Sequence, residues 1–262
     1  MISVIVPFWN SEQWLGRCCE SLHKQDGDYL FLLIDDHSTD NSRDIAYDYC
    51  YKDQRFILMS NQHTKGVSGA RNTGLDYAIQ SGDWITFLDA DDEMQPNALR
   101  NYETLIRSGK AQIYQANHLR YYAELNRTAL KYSNLEGYYG INDLPKAWVV
   151  IWNKIYSVSL IKDICFDEAL SFGEDELFNL ECFNLGCKIY HADASVITIM
   201  KHFENKQSLS RVRSLDSLFA FAQALMGLIR RANSIELRYR LCLRLSELWG
   251  SKTFLKTIAP RP

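Results

Sequence analysis

Four carboxylates crowd the eight residues FLDADDEM. Asp89, Asp91, Asp92 and Glu93 follow an apolar run that has the composition of a buried strand. Like charges at this spacing raise one another's pKa and resist ionising together, so the cluster calls for a cation or a set of donors among them. Asp89-Ala90-Asp91 is a D-x-D. Two carboxylates two residues apart, where a strand becomes a loop, can converge on one hard divalent cation that bridges diphosphate oxygens. Alone, the pattern fits turn chemistry equally well, with Asp91 or Asp92 capping the helix after Pro96.

The elements needed to position these acids are legible in the same half of the chain. ISVIVPF reads as a strand, followed by Asn10 or Ser11 as a helix cap and by Trp14, Leu15, Cys18, Cys19 and Leu22 at helical spacing. YLFLLID, a helix opening near Asp40 and Asn41, RFILMS, a helix from about Gly69 to Ser81, and WITFLD continue the alternation. Such alternation predicts an α/β fold with a mostly parallel sheet, whose ligands bind beyond the carboxyl ends of its strands. Polar residues do gather there: Pro7-Phe8-Trp9-Asn10, Asp35-Asp36-His37-Ser38, the loop before GVSGARN, and the acids themselves. Residues 112–145 have weak periodicity and read as irregular strands and loops. SFGEDELFNLECFNLG reads as a helix with Glu174 and Asp175 in its first turn, and residues 214–256 as two amphipathic helices broken near Asn233-Ser234.

The segments SVIVPFWNSEQWLGRCCESL, LIDDHSTDNS, GVSGARNTGL, FLDADD, WNKIY and GEDELF occur in an order and at a spacing that resembles family-2 glycosyltransferases with the GT-A fold, of the bacterial surface-polysaccharide type. The resemblance covers residues 1 to about 205. It implies a UDP-sugar-binding half at 1–100, an acceptor-binding half of the same domain at 101–212, and a C-terminal helical extension at 213–262. It also implies an inverting reaction, dependent on Mn²⁺ or Mg²⁺, from a UDP-sugar to a hydroxyl of a glycan or lipid-linked glycan. Pro7, Phe8, Trp9, Asn10, Asp36, Gly66, Arg71, Asp89 and Ala90 would then hold the nucleotide sugar. Asp91 would bind the metal, with Asp89 in its shell and His202 as a further ligand. Asp175 would be the general base with Glu174 beside it, and Asp92, Trp152, Asn153 and Lys154 would face the acceptor or donor sugar.

These roles suit the chemistry. A carboxylate such as Asp36 accepts the N3 proton of uracil, and Trp9 offers a ring face for stacking. Arg71 can reach the base or the diphosphate. Asp175 at a helix N-terminus is expected to have a lowered pKa and stay ionised, ready to take an acceptor hydroxyl's proton. The sequence departs from the family pattern at Trp9, where tyrosine is usual, and at His37, where DDGSTD has glycine and the backbone turns tightly.

Other classes are left with little. No G-x-G-x-x-G follows the first strand and no Lys-Ser/Thr closes the glycine-rich segment, against dehydrogenase and ATPase readings. A nucleotidyltransferase would share the acid pair but carries a glycine-rich basic loop after its first strand, absent here. A non-catalytic sugar-nucleotide or glycan-binding module would keep the uridine pocket without needing Asp175. Nothing points to nucleic acid.

The 262 residues are 47% hydrophobic, enough for one large core. Seven scattered cysteines without a C-x-x-C pair read as buried thiols in a reducing compartment. The first residues enter a strand at once with no leader pattern, and no run reaches the ~20 apolar residues of a membrane span. The formal net charge of −3 hides an asymmetry, since residues 211–262 hold ten Lys/Arg against three Asp/Glu. That basic amphipathic tail could lie on an anionic membrane surface, pack on the body, or form a dimer. The expected location is cytoplasmic, peripheral on the inner face of the plasma membrane.

Overall fold

A computed structural model describes residues 1–122, 127–131, 136–140, 150–201 and 214–250. The first half alternates β1 (Ile2–Phe8), α1 (Leu15–His23), β2 (Tyr29–Asp35), α2 (Ser42–Lys52), β3 (Phe56–Ser60), α3 (Val67–Ser81) and β4 (Trp84–Phe87). Then come β5 (Glu93–Met94), α4 (Ala98–Arg107), β6 (Ile113–Tyr122), β7 (Arg127–Lys131), β8 (Gly137–Tyr139), β9 (Lys154–Ser157), α5 (Val158–Ile161), α6 (Glu174–Asn184), β10 (Ile189–Lys201), α7 (Leu215–Arg231) and α8 (Ile235–Gly250).

One sheet runs β3-β2-β1-β4-β9-β6-β10-β5, with β7 on β6 and β8 on β10. The pairs β2–β3, β1–β2 and β1–β4 are parallel. Beyond β4 the sheet is mixed, because β9 is antiparallel to both β4 and β6 while β10 again runs parallel to β6. The 112–145 stretch, expected to be irregular, opens with a ten-residue strand, β6. Its tyrosines and amides hide the apolar alternation because they are themselves buried, Tyr114 and Asn117 among them.

Strands β1 and β2 are covered on both faces, as parallel strands between helices must be. Val4, Val6, Phe8, Phe31 and Leu33 pack toward α1 and α4. Ile5, Leu32 and Ile34 pack toward α3 with Phe87, Tyr156, Phe166 and Phe178. Gly74 lets α3 lie close on β1, since a Cβ there would meet Ile5 Cγ2 at 2.5 Å. Leu218, Phe221, Leu225, Leu228, Leu237, Leu241 and Leu248 of α7 and α8 join the α3–α6 core. Each such side chain contributes roughly 1.5–3 kcal/mol on burial.

Several local expectations are corrected. Asn10 and Ser11 do not cap α1: its N-cap position is Trp14, without a side-chain cap, while Asn10 Oδ1 accepts the Thr39 amide at 2.8 Å. Asn97 precedes α4 in a left-handed conformation, so neither Asp91 nor Asp92 caps that helix. The thiols are not uniformly buried, because Cys165 and Cys242 are exposed.

Candidate active site

The carboxyl ends of β1, β2, β3 and β4 form one edge, and the loops leaving it carry the polar residues. After β2, Asp35 accepts the Ser38 amide at 2.8 Å and Arg43 Nη1 at 2.9 Å. Burial opposes ionisation of Asp35, but the Ser38 and Arg43 bonds outweigh it and hold its pKa low. Asp36 is buried, and its Oδ1 accepts Asn61 Nδ2 at 2.7 Å. Asn61 is in turn held by Thr73 Oγ1 of α3 at 2.9 Å. His37 stands at φ 62°, so the loop keeps the left-handed turn that glycine would make easily and loads it onto a histidine.

At the end of β1, Trp9 is 53% exposed, and Lys65 Nζ lies 5.3 Å from its ring centroid. Asn10, exposed at φ 46°, donates its amide to Ser38 Oγ at 3.1 Å. Pro7 is buried, and the Phe8 ring turns into the α1–α4 core. Phe8 serves the site through its carbonyl, which accepts the Asp36 amide at 2.9 Å. Ala90 also packs in that core. These two side chains therefore do not face a nucleotide. Gly66 precedes α3 at φ 136°.

Arg71 sits one turn into α3 and is buried. It donates to Asp89 Oδ1 at 3.1 Å, Glu174 Oε1 at 3.1 Å and Asp175 Oδ1 at 2.7 Å, and its guanidinium covers the Phe166 ring at 5.3 Å. Asp175 lies 104 residues away in sequence. Arg71 is thus an ion-pair hub joining the β4 loop to α6. One guanidinium cannot neutralise three carboxylates, and the surplus negative charge must be relieved by a proton or another cation. Accordingly burial, with Glu174 and Asp89 adding to it, pushes Asp175 up to about 8, against the pull of Arg71 and Lys154. The lowered pKa expected from the helix N-terminus is overturned, because burial among like charges outweighs the dipole.

Helix α6 begins after Gly173, at φ 81°. A Cβ on Gly173 would meet the Phe221 ring at 2.6 Å, so the turn needs glycine twice over. Glu176, buried behind the acids, is gripped by Arg244 of α8 through bonds of 2.6 and 2.8 Å. Arg231 pairs with Glu181 and Arg240 with Glu236. Among the described residues of the tail, Arg231 and Arg244 are thus engaged by α6.

Asp89 and the half-buried Asp91 share one loop. A divalent cation would find two carboxylates there, and among the described residues no group of three or more His, Cys, Asp or Glu side chains is placed to hold a metal. Two carboxylates fit a Mg²⁺- or Mn²⁺-type ion whose other ligands are phosphate and water oxygens. His202 lies outside the described residues. Asp92 is buried, with its amide bonded to the Asp89 carbonyl at 3.0 Å.

Asn153 and Lys154 are also buried. Asn153 Nδ2 donates to the Ala116 carbonyl at 3.0 Å, and its Oδ1 accepts from Lys154 at 3.2 Å. Neither can touch a sugar, and only Trp152 of that segment, half-buried and edge-on to His118 at 4.7 Å, keeps a reachable face. Sequence reading missed Asn61 and Thr73, whose role depends on α3 folding back beside β2; a lone Asn after a strand carries no such signal. A cavity of about 640 Å³ lined by Asp76, Ile79, Lys162, Cys165 and Arg231 opens elsewhere on α3 and contains none of the strand-end acids.

Residues 3–163 match the family model described as glycosyl transferase family 2. The chain is 30% identical over 227 residues to the uncharacterised glycosyltransferase EpsJ of Bacillus subtilis, covering 81% of this chain and 63% of that protein. It is 39% identical over 100 residues to the UDP-Glc:α-D-GlcNAc-diphosphoundecaprenol β-1,3-glucosyltransferase WfgD of Escherichia coli, 38% of each chain. The fold is similar to S. aureus TarS 1–349, solved in complex with UDP-GlcNAc, at a TM-score of 0.78 and 22% identity over 98% of this chain and 76% of that one. The chain thus spans less than two thirds of these two curated relatives, and it belongs to glycosyl transferase family 2 with the GT-A fold.

Proposed function

We propose that this family-2 chain is an inverting, metal-dependent glycosyltransferase that moves a sugar from a UDP-sugar to a hydroxyl of a bacterial surface or lipid-linked glycan. The observation that carries the reading is the Arg71 hub, which sets Asp175 beside Asp89 at the end of the donor-side sheet. A general base must reach the acceptor hydroxyl as it attacks the anomeric carbon from the face opposite the leaving diphosphate, and the hub brings a carboxylate of raised pKa on α6 to the edge of the donor site. Asp36 and the exposed face of Trp9 receive the uracil. Asp175 takes the acceptor proton, Glu174 orients hydroxyls, and Trp152 offers a pyranose-stacking face. Asp91, with Asp89 beside it, would hold Mn²⁺ or Mg²⁺, which when bound would supply positive charge to offset that on the departing UDP. The name of the WfgD relative, a UDP-glucose-dependent transferase to a diphosphoundecaprenol-linked sugar, supports the donor and acceptor classes.

Among the described residues no helix is long and apolar enough to cross a membrane. The finer reading of place is cytoplasmic and peripheral, with the outer stripe of α8, exposed Ile235, Tyr239 and Leu243 beside Arg238, against an anionic lipid surface. Loss of liposome co-sedimentation on replacing the three apolar residues by serine is the expected outcome, and unchanged sedimentation removes that reading.

The activity is tested by incubating the full chain with a UDP-sugar panel, with and without Mn²⁺, and measuring UDP release. Release from one donor, dependent on the cation, is expected. Binding of UDP without release from any donor would make the chain a binding module, and formation of UTP and a sugar 1-phosphate when pyrophosphate is added would make it a nucleotidyltransferase.

A further inference from the structure

We propose that Lys154 is a positioning residue for Asp175, acting from beneath the site on the first turn of α6. The inference rests on Asp175 being the general base. Lys154 opens β9, the reversed strand between β4 and β6, and pairs in register with Gln115. That register places it at the end of the sheet where the site loops leave.

The Lys154 side chain is wholly buried, and among the described residues no carboxylate lies within ion-pair distance of it. Its ammonium donates to the Val150 carbonyl and to Asn153 Oδ1. The Val150 carbonyl also accepts Asn179 Nδ2 at 3.3 Å, and the same amide reaches the Asp175 carbonyl at 2.9 Å. Tyr156 donates its hydroxyl to Asn179 Oδ1 at 2.9 Å, which fixes the orientation of that amide. Lys154 and Asp175 are thus joined through Val150 and Asn179, and the first turn of α6 is pegged to the start of β9.

The titratable groups facing this pair are Glu174 and Cys182 on α6, Arg71 on α3, Asp89 after β4, Tyr156 on β9 and His191 on β10. Burial pulls Lys154 down to about 7 while Asp175 pulls it back up. A buried amine without a contacting carboxylate costs stability that a methionine of similar length would not. A group that costs the fold and lies under the candidate base is explained by what it does there: its bonds hold the start of α6, and with it Asp175, in place.

The test compares wild type with Lys154→Met and Lys154→Gln, reading thermal midpoint, UDP-sugar affinity, and kcat and KM of transfer, with Asp175→Asn as reference. The expected result for Lys154→Met is an equal or higher Tm, unchanged donor affinity and KM, and kcat lowered by about tenfold. Lys154→Gln, which keeps a donor for the Val150 carbonyl, should recover part of the lost kcat, and it carries the test if the methionine variant does not fold. A lower Tm with normal kcat for the folded fraction would make Lys154 purely structural and overturn the proposal. If Asp175→Asn is inactive while both Lys154 variants match wild type, this inference alone fails. If Asp175→Asn still transfers, the base assignment falls and takes the inference with it.

Discussion

The donor-side edge and the α6 side of the site are built by opposite means. At the donor edge, Asp35, Asp36 and Asn10 sit in loops at strand ends and are held by near neighbours in space, the Ser38 amide, Asn61 and Thr39. On the α6 side, Glu174, Asp175 and Glu176 are held by Arg71 and Arg244, 103, 104 and 68 residues away in sequence. Strand-end loops make recognition surfaces cheaply, because a parallel sheet already points them at one edge. A base with a raised pKa needs burial among charges, which only distant elements can supply.

The sharpest way to break this contrast is at its one shared residue. Arg71→Met leaves Asp89, Glu174 and Asp175 facing one another without the guanidinium, and a loss of ~3–5 kcal/mol of stability is expected. Chemical denaturation measures it, and a variant as stable as wild type would show the hub to be incidental. Next in size, Arg244→Met removes the grip on buried Glu176 and is expected to cost about 2 kcal/mol. It should also slow transfer while leaving UDP affinity unchanged, since Arg244 reaches the site through Glu176 of α6. Weakened UDP binding would mean that the two sides are not separable.

The pH dependence sharpens the contrast further. Asp175 must be ionised to accept a proton, and its pKa is raised to about 8, so the protonated, incompetent form dominates below that pH. Transfer at subsaturating acceptor is expected to fall about tenfold per pH unit below the limb, whereas UDP binding at the donor edge should not follow it. A profile flat from pH 6 to 9 contradicts the assigned base. The smallest effect belongs to the donor edge: His37→Gly relieves a left-handed side chain and should stabilise by about 0.5–1 kcal/mol, read as a small rise in Tm. A fall in Tm would mean that the imidazole makes contacts worth more than its strain.

The same contrast decides what could be read in the sequence. β1 to β4, α3, α6 and the α7–α8 break were legible because period-2 and period-3.6 patterns are local. Asp36, Asp89 and Asp175 stood out as candidates in the same way, each marked by its place after a strand or glycine turn. Asn153 and Lys154 were misplaced because a motif gives order along the chain but not which face of the sheet a side chain enters. β9 runs against β4, and that reversal buries both residues. The Asp175 pKa was misjudged for the same reason: the helix dipole is visible in the sequence, whereas Asp89 and Glu174 around a single Arg71 are not. Arg231 and Arg244 read in the sequence only as part of a basic stretch, because their partners Glu181 and Glu176 lie on α6, far along the chain.

The central claim, a donor edge that binds and an α6 carboxylate that reacts, is tested most directly by Asp175→Asn. UDP-sugar binding by calorimetry and sugar transfer are to be measured on the same preparation. The account predicts a transfer rate lower by about 10²–10⁴-fold, the usual worth of a general base, with donor affinity within about threefold of wild type. Transfer near the wild-type rate, or loss of donor binding in step with transfer, would contradict it.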